Sequence, residues 1–103
     1  MAFSKRYLYR PEDQLLSGFN RTFSHPARLE IVRQLFVDGP ACVQVLHEKH
    51  PISIETMSDH LKILRTDNFA TWYERFPYTF YELKLDSIHL AAKKAVSFFQ
   101  FFE

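Results

Sequence analysis

Apolar residues recur at helical spacing through the first two thirds of the chain and predict four helices there. The first helix opens at Pro11, which is followed by two acidic residues that the helix dipole favours in a first turn. The second restarts at Pro26 and stops at residues 38–40, where a glycine and a proline block its continuation. A third, shorter helix covers roughly residues 41–49 and ends before Pro51.

The fourth predicted helix, at about residues 54–66, has a clear division between an apolar and a polar face. Ser53 is a favourable N-cap residue, and Met57, Leu61 and Leu64 stand at positions i, i+4 and i+7 of a core stripe. At about 100° per residue, the side chains that turn away from this stripe, or flank it, are polar. They are Glu55, Thr56, Ser58, Asp59, Lys62 and Thr66.

The pattern then changes from a helical to a strand period. Residues 69–85 are rich in Trp, Tyr, Phe and Thr, and the segment Arg75-Phe76-Pro77 interrupts them. This composition predicts two strands joined by a turn near Pro77. Alternation along the second strand places four residues on one face, namely Thr79, Tyr81, Leu83 and Leu85.

The last predicted helix is apolar around more than one face. Asp86 or Ser87 caps it, and it runs to the C-terminus. Three further apolar residues, Leu90, Phe98 and Phe101, widen its main stripe of Ile88, Ala91, Ala92, Ala95, Phe99 and Phe102. We expect so apolar a helix at the end of a small domain to pack against a second copy of itself.

The chain is therefore predicted to be mainly α with a small β-hairpin, its five helices in the order α-α-α-α-β-β-α. Two short helices joined by a tight break and followed by a hairpin are typical of a winged helix-turn-helix. Residues 1–10 carry three positive charges and no negative ones, and are predicted to form a basic N-terminal arm. Residues 11–103 form the domain itself.

Composition indicates that this domain needs a partner surface. Hydrophobic residues make up 47% of the 103 residues, and 11 of them are Phe, which is more than so short a chain easily hides. A homodimer is the simplest way to bury them, and we expect the first and last helices to form its interface. The residues predicted there are Leu15, Leu16, Phe19, Ala95, Phe98, Phe99 and Phe102.

Charge and motif content exclude several classes of function. The net charge of +1 gives no direct argument for nucleic acid, and two glycines are too few for a nucleotide-binding loop. No catalytic constellation is present, so we expect neither an enzyme nor a cofactor. The lone Cys42 excludes an internal disulfide, and no apolar run has signal-peptide or membrane-span length. These features predict a cytoplasmic protein without a membrane partner.

Two segments together resemble the ArsR family of winged helix-turn-helix regulators. Residues 23–35, starting Phe-Ser-His-Pro-Ala-Arg-Leu, are similar to the helix that opens that family's domain, and residues 52–65 are similar to its recognition helix. Asn68-Phe69-Ala70 and Tyr81-Glu82-Leu83 fall where the family has a Gly-Leu-Val and a Tyr-x-Leu segment. The resemblance covers about residues 12–102.

The resemblance implies a sequence-specific DNA-binding transcriptional regulator that acts as a homodimer, with repression as the expected mode. The helix at about 54–66 would then enter the major groove of double-stranded DNA. Base-edge candidates are Thr56, Ser58, Asp59 and Lys62, while Arg65 is a phosphate candidate and the wing residue Arg75 a phosphate or minor-groove candidate. Glu55 and Asp59 depart from the family pattern and bring residues 53–66 to zero net charge, so we expect modest, salt-sensitive affinity.

The metal sensing associated with this family is not expected in this chain. Its third helix offers Cys42 alone where a thiophilic metal needs two soft ligands. On the last helix the nearest candidates are His89 and Glu103, with Asp86 one residue out of register. The prediction is therefore no metal site.

Three residues are expected to have structural roles. They are His60 at the edge of the core stripe, Arg28 beside a helix start, and the small thiol of Cys42. Two alternatives to DNA binding stay open at this point. One is a winged-helix module that binds protein, and the other is a regulator that holds an organic ligand between the first and last helices.

Overall fold

The computed structural model describes residues 5–103, apart from the side chain of Arg6. Residues 1–4 of the predicted basic arm lie outside this range, and the rest of the arm contains a short 3-10 helix, Arg6–Leu8. The described residues form five α-helices and three strands. In chain order they are α1 (Pro11–Thr22), α2 (Pro26–Asp38), β1 (Ala41–Cys42), α3 (Val43–Glu48), α4 (Ile54–Thr66), β2 (Ala70–Arg75), β3 (Tyr78–Leu83) and α5 (Leu85–Gln100).

Local chemistry accounts for the helix ends. The ring of His25 caps α2 by accepting a hydrogen bond from the amide of Ala27 at 3.0 Å, and Ser53 Oγ caps α4 by accepting from the amide of Thr56 at 3.1 Å. After α2, Gly39 adopts φ 83°, which only glycine tolerates readily. Asn68 follows α4 at φ 69°, a left-handed conformation that Asn adopts more readily than most residues.

The start of the predicted third helix was wrong, because Ala41 and Cys42 form a strand. They pair antiparallel with β3, Ala41 opposite Tyr81 and Cys42 opposite Phe80. The sheet therefore has three strands in the order β1-β3-β2 instead of a hairpin alone. Two residues are too few for an alternating pattern, so β1 has no periodic signal in the amino-acid sequence.

The boundary between β3 and α5 also differs from the expectation. Leu85 is the first residue of α5 and not a residue of the second strand, and Lys84, not Asp86 or Ser87, occupies the N-cap position. Lys84 leaves the strand because its Nζ donates to Asn68 Oδ1 at 2.8 Å and its amide to the carbonyl of Phe69 at 2.9 Å. These bonds close the loop between α4 and β2 against the start of α5.

The hydrophobic core lies between α2, α3, α4 and the sheet. Met57, Leu61 and Leu64 on α4 are fully buried, which confirms the predicted stripe. Their main partners are Ile31, Leu35, Leu46, Phe69 and Tyr81. Phe69 joins α1 to this core through edge-to-face contacts with Phe19 and Phe23, whose ring centroids lie 5.5 and 4.7 Å away.

The helices and sheet together form the predicted winged helix-turn-helix. Helices α3 and α4 are the helix-turn-helix pair, and β2 and β3 form the wing that follows it. In the part of the chain that the structure describes, none of the helices is both long and apolar enough to cross a membrane.

Candidate nucleic-acid interface

The polar face of α4 is open to solvent. Thr56, Ser58, Asp59 and Lys62 are all exposed, whereas the opposite face is buried in the core. This arrangement brings together the four residues predicted to reach base edges. A helix exposed along one polar face over its whole length can enter a major groove.

The other two predicted contact residues rest on aromatic rings. The guanidinium of Arg65 lies 5.1 Å from the centre of the Trp72 ring, so α4 and the wing are joined at this point. Arg75, at the far end of β2, is exposed and lies 6.0 Å from the ring centre of Tyr73. The stacking restricts both cations, and it points the Arg65 side chain toward the wing instead of leaving it free beside α4.

A buried polar network fixes α4 against α1 and α2. Arg28 is 9% exposed, and its Nε donates to the carbonyl of Thr22 at 2.6 Å. Its Nη1 donates to Nδ1 of His60 at 3.0 Å, and its Nη2 to the carbonyl of Arg21 at 3.4 Å. These bonds confirm that Arg28 pairs internally and that His60 is structural.

Thr22 extends this network to the far end of α4. Its hydroxyl lies 2.6 Å from Oδ2 of Asp67, to which it donates, and 3.2 Å from the carbonyl of Gly18. Arg28 and Thr22 therefore hold both the middle and the C-terminal end of α4. These contacts act together with the buried core stripe to orient the exposed polar face of that helix.

The contact with Arg28 decides the proton position on His60. A guanidinium can only donate, so Nδ1 of His60 accepts and Nε2 carries the proton of the neutral ring. Nε2 is buried without a hydrogen-bond partner among residues 5–103, and the ring centroid of His25 lies 4.5 Å from that of His60. A second proton on this ring would have to occupy Nδ1, where it would face the Arg28 cation.

Burial lowers the pKa of His60 below its ordinary value of 6.5, and the nearby His25, Arg28 and His50 lower it further, while Asp59 acts in the opposite direction. The unfolded chain then binds this proton more readily than the folded one, so stability decreases as the pH falls below about 6.5. We expect the slope from this residue to reach at most about 1.4 kcal/mol per pH unit.

Urea unfolding of wild type and of the His60→Gln variant, at a series of pH values from neutral to mildly acidic, measures this effect. The glutamine oxygen can still accept from Arg28, but the side chain does not titrate, so the midpoint of H60Q should depend less on pH. His89→Gln, at an exposed position of α5, is the matched control and should follow wild type. Parallel curves for wild type and H60Q would show that His60 does not carry the pH dependence.

Helix α5 leaves much of its apolar surface uncovered, although Ile88 and Ala91 pack against the core. None of its 16 residues is buried, and the terminal aromatic residues are widely exposed, Phe99 at 63%, Phe101 at 82% and Phe102 at 68%. Phe98 packs edge-to-face against Phe99 and Phe102. Of the predicted interface residues, Leu15, Phe98, Phe99 and Phe102 are exposed and Ala95 partly so, while Phe19 packs on the core and Leu16 is buried within its own chain.

A groove of about 420 Å³ lies between α1 and α5. Its wall includes Leu16, Phe98, Phe101 and Phe102, and also charged side chains of both signs, among them Arg10, Asp13 and Lys94. The organic-ligand alternative called for a closed apolar cavity at this place. The observed groove is partly open and mixed in character, so it gives that alternative little support.

The remaining predicted site residues are separate from these surfaces. Across residues 5–103, no three His, Cys, Asp or Glu side chains come together as a possible metal site, and His89 is exposed on α5. Cys42 is buried in β1, as expected of a small structural thiol. His47 donates to the carbonyl of Ile52 at 2.7 Å and His50 to Gln34 at 3.2 Å, which fixes the α3–α4 turn.

Two exposed residues near the candidate interface were not among the site residues predicted from the sequence. Arg21, at the end of α1, shares with Lys62 the wall of a cleft of about 350 Å³ beside α4, which spacing along the chain does not reveal. Phe76 stands at the turn of the wing and is 95% exposed, the largest exposed fraction among the large apolar side chains of the described residues. The sequence Arg75-Phe76-Pro77 places this phenylalanine in a predicted turn, and this position could have indicated its exposure.

Comparison with solved structures shows the fold. The chain superposes on a possible transcriptional regulator for arsenical resistance with a TM-score of 0.70 at 24% identity, over 76% of this chain and 80% of that one. An ArsR-like transcriptional regulator from Rhodococcus gives 0.72 at 16% identity, over 85% and 82%. The homodimeric winged helix-turn-helix DNA-binding domain of a possible ArsR-family regulator from Mycobacterium bovis gives 0.68 at 17% identity, over 100% and 92%.

No protein-family model matches the chain, and no curated protein matches it significantly in sequence. The structural likenesses confirm the winged helix-turn-helix fold. The three solved structures compared with this chain are described as transcriptional regulators or as possible ones.

Proposed function

We propose that this protein is a homodimeric, sequence-specific DNA-binding transcriptional regulator of the ArsR type, and that it represses by occupying its operator. The observation that carries the proposal is the exposed polar face of α4, which is held rigidly at its middle and its end and stands beside a wing. A preorganised recognition helix loses little freedom on entering a groove. The likeness to solved regulators of the same fold supports this proposal.

The dimer follows from the surface of α5 and α1. A 16-residue helix without one buried residue is unfavourable in an isolated protomer. The radius of gyration of the protomer is 15.4 Å, which exceeds the value of about 13 Å that is typical of a compact chain of this length. A second copy that packs its own α5 on this surface would bury the exposed phenylalanines. Two copies would present two α4 helices to successive major grooves, about 34 Å apart on a palindromic site.

Charge sets the expected character of the DNA complex. Glu55 and Asp59 balance Lys62 and Arg65 on α4, and Arg65 is engaged with Trp72. With Lys62 directed at a base edge, the cations that can meet phosphates include Arg21 beside α4 and Arg75 on the wing. With few phosphate contacts we expect modest affinity that still falls as the salt concentration rises.

The first test is binding of the purified protein to genomic DNA fragments, its own upstream region included, across a salt series. Saturable binding to one fragment, with log K falling linearly against log salt, is the expected result. Absence of binding at low salt, with the dimer shown to be intact, would contradict the proposal. It would favour instead the alternative in which the near-neutral α4 face binds a protein.

Lys62→Ala is expected to weaken binding to the selected fragment about 10-fold, since a good base-edge contact contributes about 1–3 kcal/mol of discrimination. Binding to unrelated fragments should weaken less, so the ratio of the affinity for the selected fragment to the affinity for unrelated fragments falls. Lys93→Ala removes the same charge from an exposed position on α5 and is the matched control. Equal losses on all fragments would assign Lys62 to a phosphate instead of a base edge, and no loss would remove it from the interface.

A further inference from the structure

We infer that Phe76 is a minor-groove wedge: an apolar side chain at the tip of the wing that inserts between base pairs of duplex DNA and bends it. The inference rests on the proposed DNA-binding function and adds to it a contact that neither charge nor hydrogen bonding provides. No predicted DNA contact included this residue.

The first observation is the exposure of the side chain. Phe76 is 95% exposed at the turn between β2 and β3, and no other large apolar residue in the described part of the chain is as exposed. Phe101 and Phe102, the next most exposed phenylalanines, belong to the apolar surface of α5. Phe76 lies at the opposite end of the sheet from the core, so the second copy on α5 does not account for it.

The second observation is the setting of the ring. Arg75 precedes it and Tyr78, which is 47% exposed, pairs with Arg75 across the turn. Pro77 follows, and a residue before proline is restricted to extended backbone conformations, so less freedom is lost when the tip is ordered. A cation beside an apolar ring matches a minor groove, where the potential is negative and the base steps accept apolar wedges.

The third observation is the reach of the wing. Each strand has six residues, so the tip stands about 17–20 Å from the base of the hairpin, where Ala70 pairs with Leu83. The contact of Arg65 with Trp72 anchors that hairpin to α4. With α4 in the major groove, the neighbouring minor groove is half a helical turn away, about 17 Å. The tip can therefore reach it.

The charge balance of α4 adds a reason for such a contact. Because the helix is neutral over residues 53–66, phosphate attraction contributes less than in a basic recognition helix. Burying one phenylalanine ring per protomer between base pairs supplies affinity that does not depend on salt. Glu74, the other charged residue of the wing tip, lies on the opposite face of β2 from Arg75 and does not neutralise it there.

The test uses the genomic fragment that wild type binds, labelled at both ends for fluorescence energy transfer. Phe76→Ala should weaken binding about 10- to 100-fold, leave the slope against salt unchanged and abolish the bend. Phe76→Leu, which keeps an apolar side chain at the tip, should retain most of the affinity and most of the bend. Arg75→Ala should instead reduce the salt slope by about one per protomer and leave the bend in place.

Phe36→Ala is the matched control, since Phe36 is an exposed phenylalanine on α2 (65%) outside the wing strands and their turn, and should behave as wild type. If wild type binds and bends the fragment but Phe76→Ala does so equally well, this inference is overturned and the proposed function stands. If wild type binds no fragment, the proposed function fails and this inference with it. If Phe76→Leu loses as much DNA affinity and bending as Phe76→Ala, a wedge is also contradicted.

Discussion

Replacing Arg28 with alanine is expected to lower the free energy of unfolding by about 2–5 kcal/mol, because it leaves two buried acceptors without this donor. These are the carbonyl of Thr22 and Nδ1 of His60, whereas the part-buried carbonyl of Arg21 keeps the hydroxyl of Ser24 as a donor. The cost of a buried polar group left unpaired exceeds the net gain of the hydrogen bond it once made. The loss should therefore be far larger than for an ordinary surface arginine.

Urea or thermal unfolding followed by circular dichroism measures the Arg28 effect. Arg33→Ala is the control, since Arg33 lies on the same helix but is exposed and paired only with Glu30, a contact of at most about 1 kcal/mol. Arg28→Lys should not restore stability, because one ammonium cannot reach three acceptors in the geometry of a guanidinium. A loss below about 1 kcal/mol for Arg28→Ala would show that water replaces the guanidinium without cost.

The helices were largely predictable because they follow from periodicity and capping, which are local properties. Both bounds of α4 agree with the sequence, since Ser53 caps its start and Asp67-Asn68 ends it. Strand β1 could not be predicted in this way. Its two residues form a strand only because Tyr81 and Phe80 lie beside them, some forty positions further along the chain.

The candidate DNA-contact residues were predictable as surface positions but not in their interactions. Helical projection correctly placed Asp59 and Lys62 on the exposed face of α4. It could not show that Arg65 stacks on Trp72, or that Arg21 lies beside Lys62. Such pairings depend on how elements far apart in sequence meet. Spacing within one helix does not contain that information.

The largest effect on DNA binding is expected from the dimer surface. Phe99→Glu combined with Phe102→Glu places two like charges per protomer on a surface that, in the proposed dimer, would face its own copy. Both side chains are exposed in the protomer, so the variant should fold normally yet sediment as a monomer. Binding to a palindromic fragment should then fall by 100-fold or more, since linking two binding events raises affinity by about 10²–10⁴.

The control for the dimer variant is Phe36→Glu combined with Val37→Glu, which adds the same charge at exposed apolar positions of α2. It separates loss of dimerisation from general repulsion between acidic protein and DNA, and it should remain a dimer that binds. If the α5 variant still sediments as a dimer, the interface lies elsewhere, and the exposed α2 positions become the next candidates. If it is a monomer that binds the fragment as wild type does, each protomer recognises DNA alone, and the half-site geometry proposed for the two α4 helices is wrong.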